Sequence, residues 1–238
     1  MKTKFLFFLF ASLLLFNQIA VAQQGCSPGS NISYLETVNL LAKLSNGGSL
    51  FGPGPGVVNK IPPAVAQGPS TVFAAGLWLG AFDETGNLKI AAASYNTIDD
   101  YTVGPLNPFT GQLADTICWH WNRLFRVTGD QIAAHLADFK DNGLIDNPIQ
   151  AIYGWPGKGN SHFQNIYFWT SFGLFFSEAP FHDADGNGLY DPDKGDYPVV
   201  RLPNSTEIVP AQIVWHVFND VGLPHDEWAG SPWVWKYK

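Results

Sequence analysis

The sequence predicts an α+β, β-rich fold, an antiparallel sheet or sandwich with one or two short helices and an acidic loop. Three observations predict it: two apolar runs flanking a polar five-residue turn at 83–87, a capping box at Thr128–Gln131, and glycine-interleaved oxygen side chains from Asp183 to Asp196.

The 238-residue chain opens with Met1-Lys2-Thr3-Lys4, an apolar run from Phe5 to Phe16, and Ala20-Val21-Ala22 before Gln23. Positive charge, a short greasy stretch and a small-x-small site form a secretory signal peptide, expected to be cleaved after Ala22. The apolar run is shorter than the roughly 18 to 20 residues that span a bilayer. Acylation at Cys26 is the rival reading, although Gln23-Gln24-Gly25 make a poor site for it.

Thirteen basic against 20 acidic residues give a net charge of −7, and loss of Lys2 and Lys4 makes the exported chain more acidic still. Such a surface repels nucleic acid and anionic membranes and suits cations. Cys26 and Cys118 are the only cysteines. An oxidising compartment permits a bridge between them, but nothing in the sequence brings them together.

Residues 23–70 read as an N-terminal segment and linker. Leu35, Val38, Leu41 and Leu44 recur at helical spacing, which predicts a short amphipathic helix over 34–44. From 45 to 70, Gly52-Pro53-Gly54-Pro55-Gly56 and Pro62-Pro63 oppose both ladders and helices. Residues 71–238 then form the expected β-rich domain. Thr71 to Phe82 and Leu88 to Tyr95 flank Asp83-Glu84-Thr85-Gly86-Asn87, a hairpin signal.

Trp119, Trp121, Leu124, Phe125 and Val127 predict another strand. Thr128 and Gln131 can satisfy each other's backbone amides, so a helix should follow, with Ile132, Leu136 and Phe139 on one face and Asn142-Gly143 ending it. A second helix is expected from Pro148 to about Tyr153, closed by Gly154. Phe163, Tyr167, Phe168, Trp169, Phe172, Phe175, Phe176 and Phe181 read first as core and second as an exposed sugar-stacking platform.

In the loop, Asp183, Asp185, Asn187 and Asp191 occupy positions 1, 3, 5 and 9 of a calcium-loop pattern, with Gly188 at position 6. Calcium takes six to eight oxygens, and glycine at position 6 permits the turn that gathers them. The Leu189 carbonyl would be the backbone ligand. Position 12, glutamate in an EF-hand, is Lys194, so Asp193 or Asp196 must substitute. Five aspartates between 183 and 196 would repel one another without a cation. The opposing reading is a solvated acidic turn.

No HExxH, GxSxG or GxxxxGK[ST] motif occurs. Cys118 and His120 would share a strand face, but no orienting third group is identifiable for a thiol nucleophile. His216, Asp220, His225, Asp226 and Glu227 offer zinc-type donors, against a reading as surface turns. Asp99 and Asp100 would point to opposite faces of a strand.

Ala75-Gly76-Leu77-Trp78-Leu79-Gly80, Gly86 to Ala92, Gly104-Pro105-Leu106, Trp155-Pro156, Gly159-Asn160, Ala179-Pro180-Phe181, the loop with Tyr197-Pro198, and Trp215 to Asp220 follow in order. This series, over about residues 71–232, resembles the N-terminal region of large secreted proteins of Bacteroidota that typically end in a type IX secretion sorting domain. The resemblance implies export to the cell surface or medium, with the Asp183 loop as its calcium site and no catalytic residues to carry over. No sorting domain is recognisable up to Lys238, so a truncated product is expected. The functional expectation is a calcium-stabilised, non-enzymatic adhesion or structural protein, with polysaccharide or other surface proteins as partners. The alternative is a carbohydrate-binding or carbohydrate-active protein.

Overall fold

A computed structural model describes residues 29–51, 54–60, 69–94, 98–106, 120–167 and 179–221. They form a β-rich molecule with antiparallel sheets and three α-helices. The expected signal peptide, Cys26, Cys118 and Trp119 lie outside the described residues, as do the aromatics from Phe168 to Phe176 and the tail residues His225, Asp226 and Glu227.

The first sheet has four strands: β1 (Ile32–Glu36), β2 (Leu40–Ser45), β3 (Val57–Asn59) and β4 (Ser70–Val72), each pairing antiparallel with the next. This corrects the helix expected over 34–44. An amphipathic helix would bury Val38, yet Val38 sits at the hairpin tip, 85% exposed. The tip closes through Thr37, whose amide donates to the Leu40 carbonyl at 2.8 Å and whose Oγ1 accepts from the Leu40 amide at 3.0 Å. A short apolar run cannot by itself choose between periods, and here pairing with β3 decides it.

The Gly/Pro-rich stretch is likewise built into this sheet rather than set apart from it. Across the expected boundary at residue 70, β4 joins the N-terminal sheet, and the Leu77 amide donates to the Gly48 carbonyl at 2.8 Å. Gly48 is required by packing, because a Cβ there would meet Tyr101 Cδ2 at 2.0 Å. Further polar links tie the N-terminal sheet to the rest. Asn46 and Ser30 both donate to Asn122 Oδ1, at 2.9 and 3.1 Å.

The second sheet contains the expected hairpin, β5 (Trp78–Phe82) and β6 (Leu88–Ser94), followed by β7 (Ile98–Asp99). Residues 83–87 are its turn, with Gly86 at φ 82° and nothing within 4 Å of its Cβ position. The strand starts at Trp78 rather than Thr71, because Ala75 and Gly76 instead meet Leu50 and Ser49 of the first sheet. Ala91, Ala93 and Tyr101 form a small core under this sheet, with Leu77 and Phe218 packed on it. Asp100, 7% exposed, accepts the Ala92 amide at 2.9 Å. Nearby, β8 (Thr102–Val103) pairs with β15 (Phe218–Asn219). Antiparallel β12 (Val200–Arg201) and β13 (Glu207–Ile208) form a further two-stranded pair.

The main core lies where β9 (Phe125–Thr128) and β14 (Gln212–Trp215) pair, under helices α1 (Gly129–Asn142), α2 (Gln150–Tyr153) and α3 (Phe163–Tyr167). Phe125 and Val127 alternate inward against exposed Arg126, as one buried sheet face requires. Thr128 and Gln131 form the full capping box, and Gly143 ends α1 at φ 79° with its amide on the Phe139 carbonyl. α1 fills the 14 residues expected between the Thr128 cap and Gly143. Gly154 ends α2 without a left-handed turn. Trp121, Phe125 and Phe163 sit with ring centroids about 6 Å apart (5.9 to 6.1 Å), and the described members of the aromatic run, Phe163, Tyr167 and Phe181, all belong to or pack on this core. Burying each such side chain contributes roughly 1.5 to 3 kcal/mol. Among the described residues no helix is long and apolar enough to cross a membrane.

Candidate metal centre

The acidic loop is held between two short antiparallel pairs of residues. Its entry, β10 (Phe181–His182), pairs with β11 (Tyr197–Pro198) just beyond its exit, so the chain leaves and returns side by side. A 3-10 turn at Pro192–Lys194 then directs the chain back, and Asp191 caps it by accepting the Asp193 amide at 3.2 Å. Tyr190 anchors the middle. It is 1% exposed, its hydroxyl donates to the Ile152 carbonyl at 2.8 Å, and its amide donates to the Lys158 carbonyl at 2.6 Å.

Asp183 organises the first half. Its Oδ1 accepts from the amides of Gly186 (2.8 Å) and Asn187 (3.2 Å), and its Oδ2 accepts from Gly188 (2.7 Å). Three amides converge because Gly186 and Gly188 stand at φ 74° and 76°, conformations that glycine adopts without cost. The Gly188 amide contributes most to holding the Asp183 carboxyl below its ordinary range. Asp185 accepts both donors of Asn187, and Asn187 Oδ1 accepts the Leu189 amide at 2.6 Å. A carboxylate offers about four lone-pair sites, so these bonds orient the oxygens without exhausting them.

Asp196 closes the loop from within. It is fully buried, with Oδ1 accepting the Ala184 amide and Oδ2 the Asp191 amide, both at 2.8 Å. Burial raises its pKa, opposed by those two amides, while the charges of Asp183 and Asp185 push it further up. His135, 1% exposed on α1, holds the next link, its Nε2–H donating to the Asp196 carbonyl at 3.1 Å. Gly195, at φ 88°, lies against Phe139 of the same helix.

The structure therefore divides the predicted ligands. Asp183, Asp185, Asn187 and Leu189 share the first half of the loop, and Asp196 ties Ala184 to Asp191. The carboxylates of Asp183, Asp185 and Asp196 are not among the groups whose ligand atoms gather within 4.8 Å. Asp191 and Asp193 turn the other way, toward His162, and these three do gather within that distance. Asp193 Oδ1 accepts from the Tyr153 hydroxyl at 2.5 Å, and Oδ2 meets His162 Nε2 at 2.8 Å. Burial, then that bond to Asp193, raises the Tyr153 pKa.

Sequence reasoning missed His162 and Tyr153. A signal lay in Gly159-Asn160: buried Asn160 donates to the carbonyls of Tyr153 and Trp155 (2.8 and 2.7 Å), and its Oδ1 takes the His162 amide (2.9 Å), fixing His162 beside α2.

Of the other candidates, His216 stacks on Phe218 at 5.2 Å and Asp220 is exposed, with the rest of that cluster outside the described residues. His120 lies in a turn rather than on a strand. A second acidic group, Asp138 and Asp141 in the last turns of α1 with Asp146 just beyond it, also gathers within 4.8 Å. Comparison of the chain with protein-family models, curated proteins and solved structures finds no match.

Proposed function

We propose that this is an exported, calcium-stabilised, non-enzymatic protein of the cell surface or medium, of adhesion or structural type. The observation that carries the calcium reading is the loop's arrangement, in which Asp183 collects three consecutive amides while buried Asp196 ties Ala184 to Asp191. Calcium would be held by Asp183, Asp185, Asn187, the Leu189 carbonyl and Asp196, all of them oxygen donors, as that hard ion requires. It would offset the negative charge of Asp183, Asp185 and Asp196 and bind the loop halves together. The core built from Trp155, Ala179 and Trp215 gives the loop a rigid base. The signal-peptide pattern and the resemblance to type IX-secreted proteins support export, and the net negative charge argues against nucleic acid as a partner.

Thermal unfolding of the chain from Gln23 onward, with millimolar calcium and with excess chelator, tests the reading. A calcium-dependent rise that disappears in Asp183→Ala/Asp185→Ala supports it; an unchanged melting temperature refutes it.

A second reading, binding to polysaccharide, is favoured by Trp78 and Phe82, 67% and 74% exposed on one face of β5. Aromatic faces of this kind stack on sugar rings. Retention on insoluble polysaccharide, lost in Trp78→Ala or Trp169→Ala, would favour it; no retention on any glycan would count against it.

A further inference from the structure

We infer that His162, Asp191 and Asp193 form a second metal site, sharing no ligand with the proposed calcium set and suited to zinc or a similar divalent transition ion. One imidazole and two carboxylates within 4.8 Å of one another are a nitrogen-and-oxygen set of the kind zinc accepts and calcium does not favour. Ligand atoms around a tetrahedral zinc at about 2.0 to 2.1 Å lie roughly 3.3 to 3.5 Å apart. The His162–Asp193 contact of 2.8 Å would therefore open by about half an ångström, as a metal takes the place of the shared proton.

The surroundings hold each donor. Asn160 fixes the backbone of His162, whose ring packs edge-on against Tyr153 at 4.8 Å between centroids. The Tyr153 hydroxyl holds Asp193 Oδ1, leaving Oδ2 facing the imidazole. Asp191 spends Oδ1 on the Asp193 amide. Outer bonds of this kind orient metal ligands. An ordinary histidine–aspartate ion pair at a half-exposed position is worth little and needs no second carboxylate. Three protein ligands leave a fourth position for water or a partner's side chain.

The site stands independently of the calcium reading, since it uses none of Asp183, Asp185 or Asp196. Cobalt(II) serves as the probe, because its visible absorption reports low-coordinate nitrogen and oxygen ligation while calcium is silent. The native chain is expected to bind one equivalent of cobalt, displaced by zinc and unaffected by millimolar calcium. His162→Ala should weaken it at least 100-fold, Asp193→Asn similarly, and Tyr153→Phe, which removes only the orienting hydroxyl, about 10-fold. Asp193→Asn preserves shape and covers the event that His162→Ala disturbs packing on Tyr153. Absence of cobalt binding by the native chain, unaltered binding in either ligand variant, or displacement by calcium would overturn the inference.

Discussion

The hairpin turn at Asp83 and the loop at Asp183 begin alike and end differently. Both open with an aspartate that folds its own turn. Asp83 Oδ1 accepts the amides of Thr85 and Asn87 at 3.0 and 2.8 Å together with the Thr85 hydroxyl at 2.7 Å, and Lys89 lies 3.5 Å from Oδ2. Its pKa is depressed, chiefly by the Thr85 hydroxyl. That turn is complete: one carboxylate, ringed by donors, with a lysine nearby. The Asp183 loop repeats the same local device and then adds Asp185 outside and Asp196 in the interior, where burial raises the carboxyl rather than lowering it. A self-capping aspartate is therefore an ordinary turn. The surplus carboxylates of the Asp183 loop are what the proposed calcium would neutralise.

The contrast can be broken in several ways. The largest effect should come from Asp196→Ala, which removes a buried carboxylate and the acceptor of two part-buried amides and is expected to cost about 3 kcal/mol in denaturant unfolding. A midpoint shift no larger than that of Asp83→Ala would erase the distinction. Calcium at 10 to 100 times its dissociation constant should add about 1 to 3 kcal/mol to the native chain and to Asp83→Ala alike, and nothing to Asp183→Ala/Asp185→Ala. Thr128→Ala removes the capping bond of α1, the helix that Asp196 and Gly195 rest on, and should cost about 1 kcal/mol with calcium affinity unchanged in titration.

A smaller, pH-dependent effect belongs to His135. Burial depresses its pKa below 6.5, so the folded state favours the neutral ring. Its contribution is fully present above 6.5 and is lost as pH falls through the folded value. Burial depresses His216 in the same direction. The native chain should therefore lose stability below pH 6.5, and His135→Gln should flatten that profile. An identical profile in the variant would remove His135 as the cause.

Features resting on local chemistry were legible in the sequence. The capping box at Thr128 and Gln131 needs only two side chains three residues apart, and the Asp83 turn only glycine and asparagine at fixed offsets. The antiparallel, β-rich character followed from such signals. What was not legible depended on distant partners. The run at 34–44 became a hairpin because β3, arriving from a proline-rich stretch, pairs with it. Asp193 looked like a loop ligand until the 3-10 turn carried it to Tyr153 and His162, 40 and 31 residues away in sequence. Asp196, two positions past the pattern's end, became the closing group because α1 and His135 hold that stretch inside.

The most direct test of the account is calorimetric titration of calcium into the native chain, Asp83→Asn and Asp196→Asn. The account predicts one site of modest affinity, about 0.1 to 1 mM as in extracellular modules, in the first two chains, and at least tenfold weakening in the third. No heat of binding in the native chain, or equal affinity in Asp196→Asn, would contradict it.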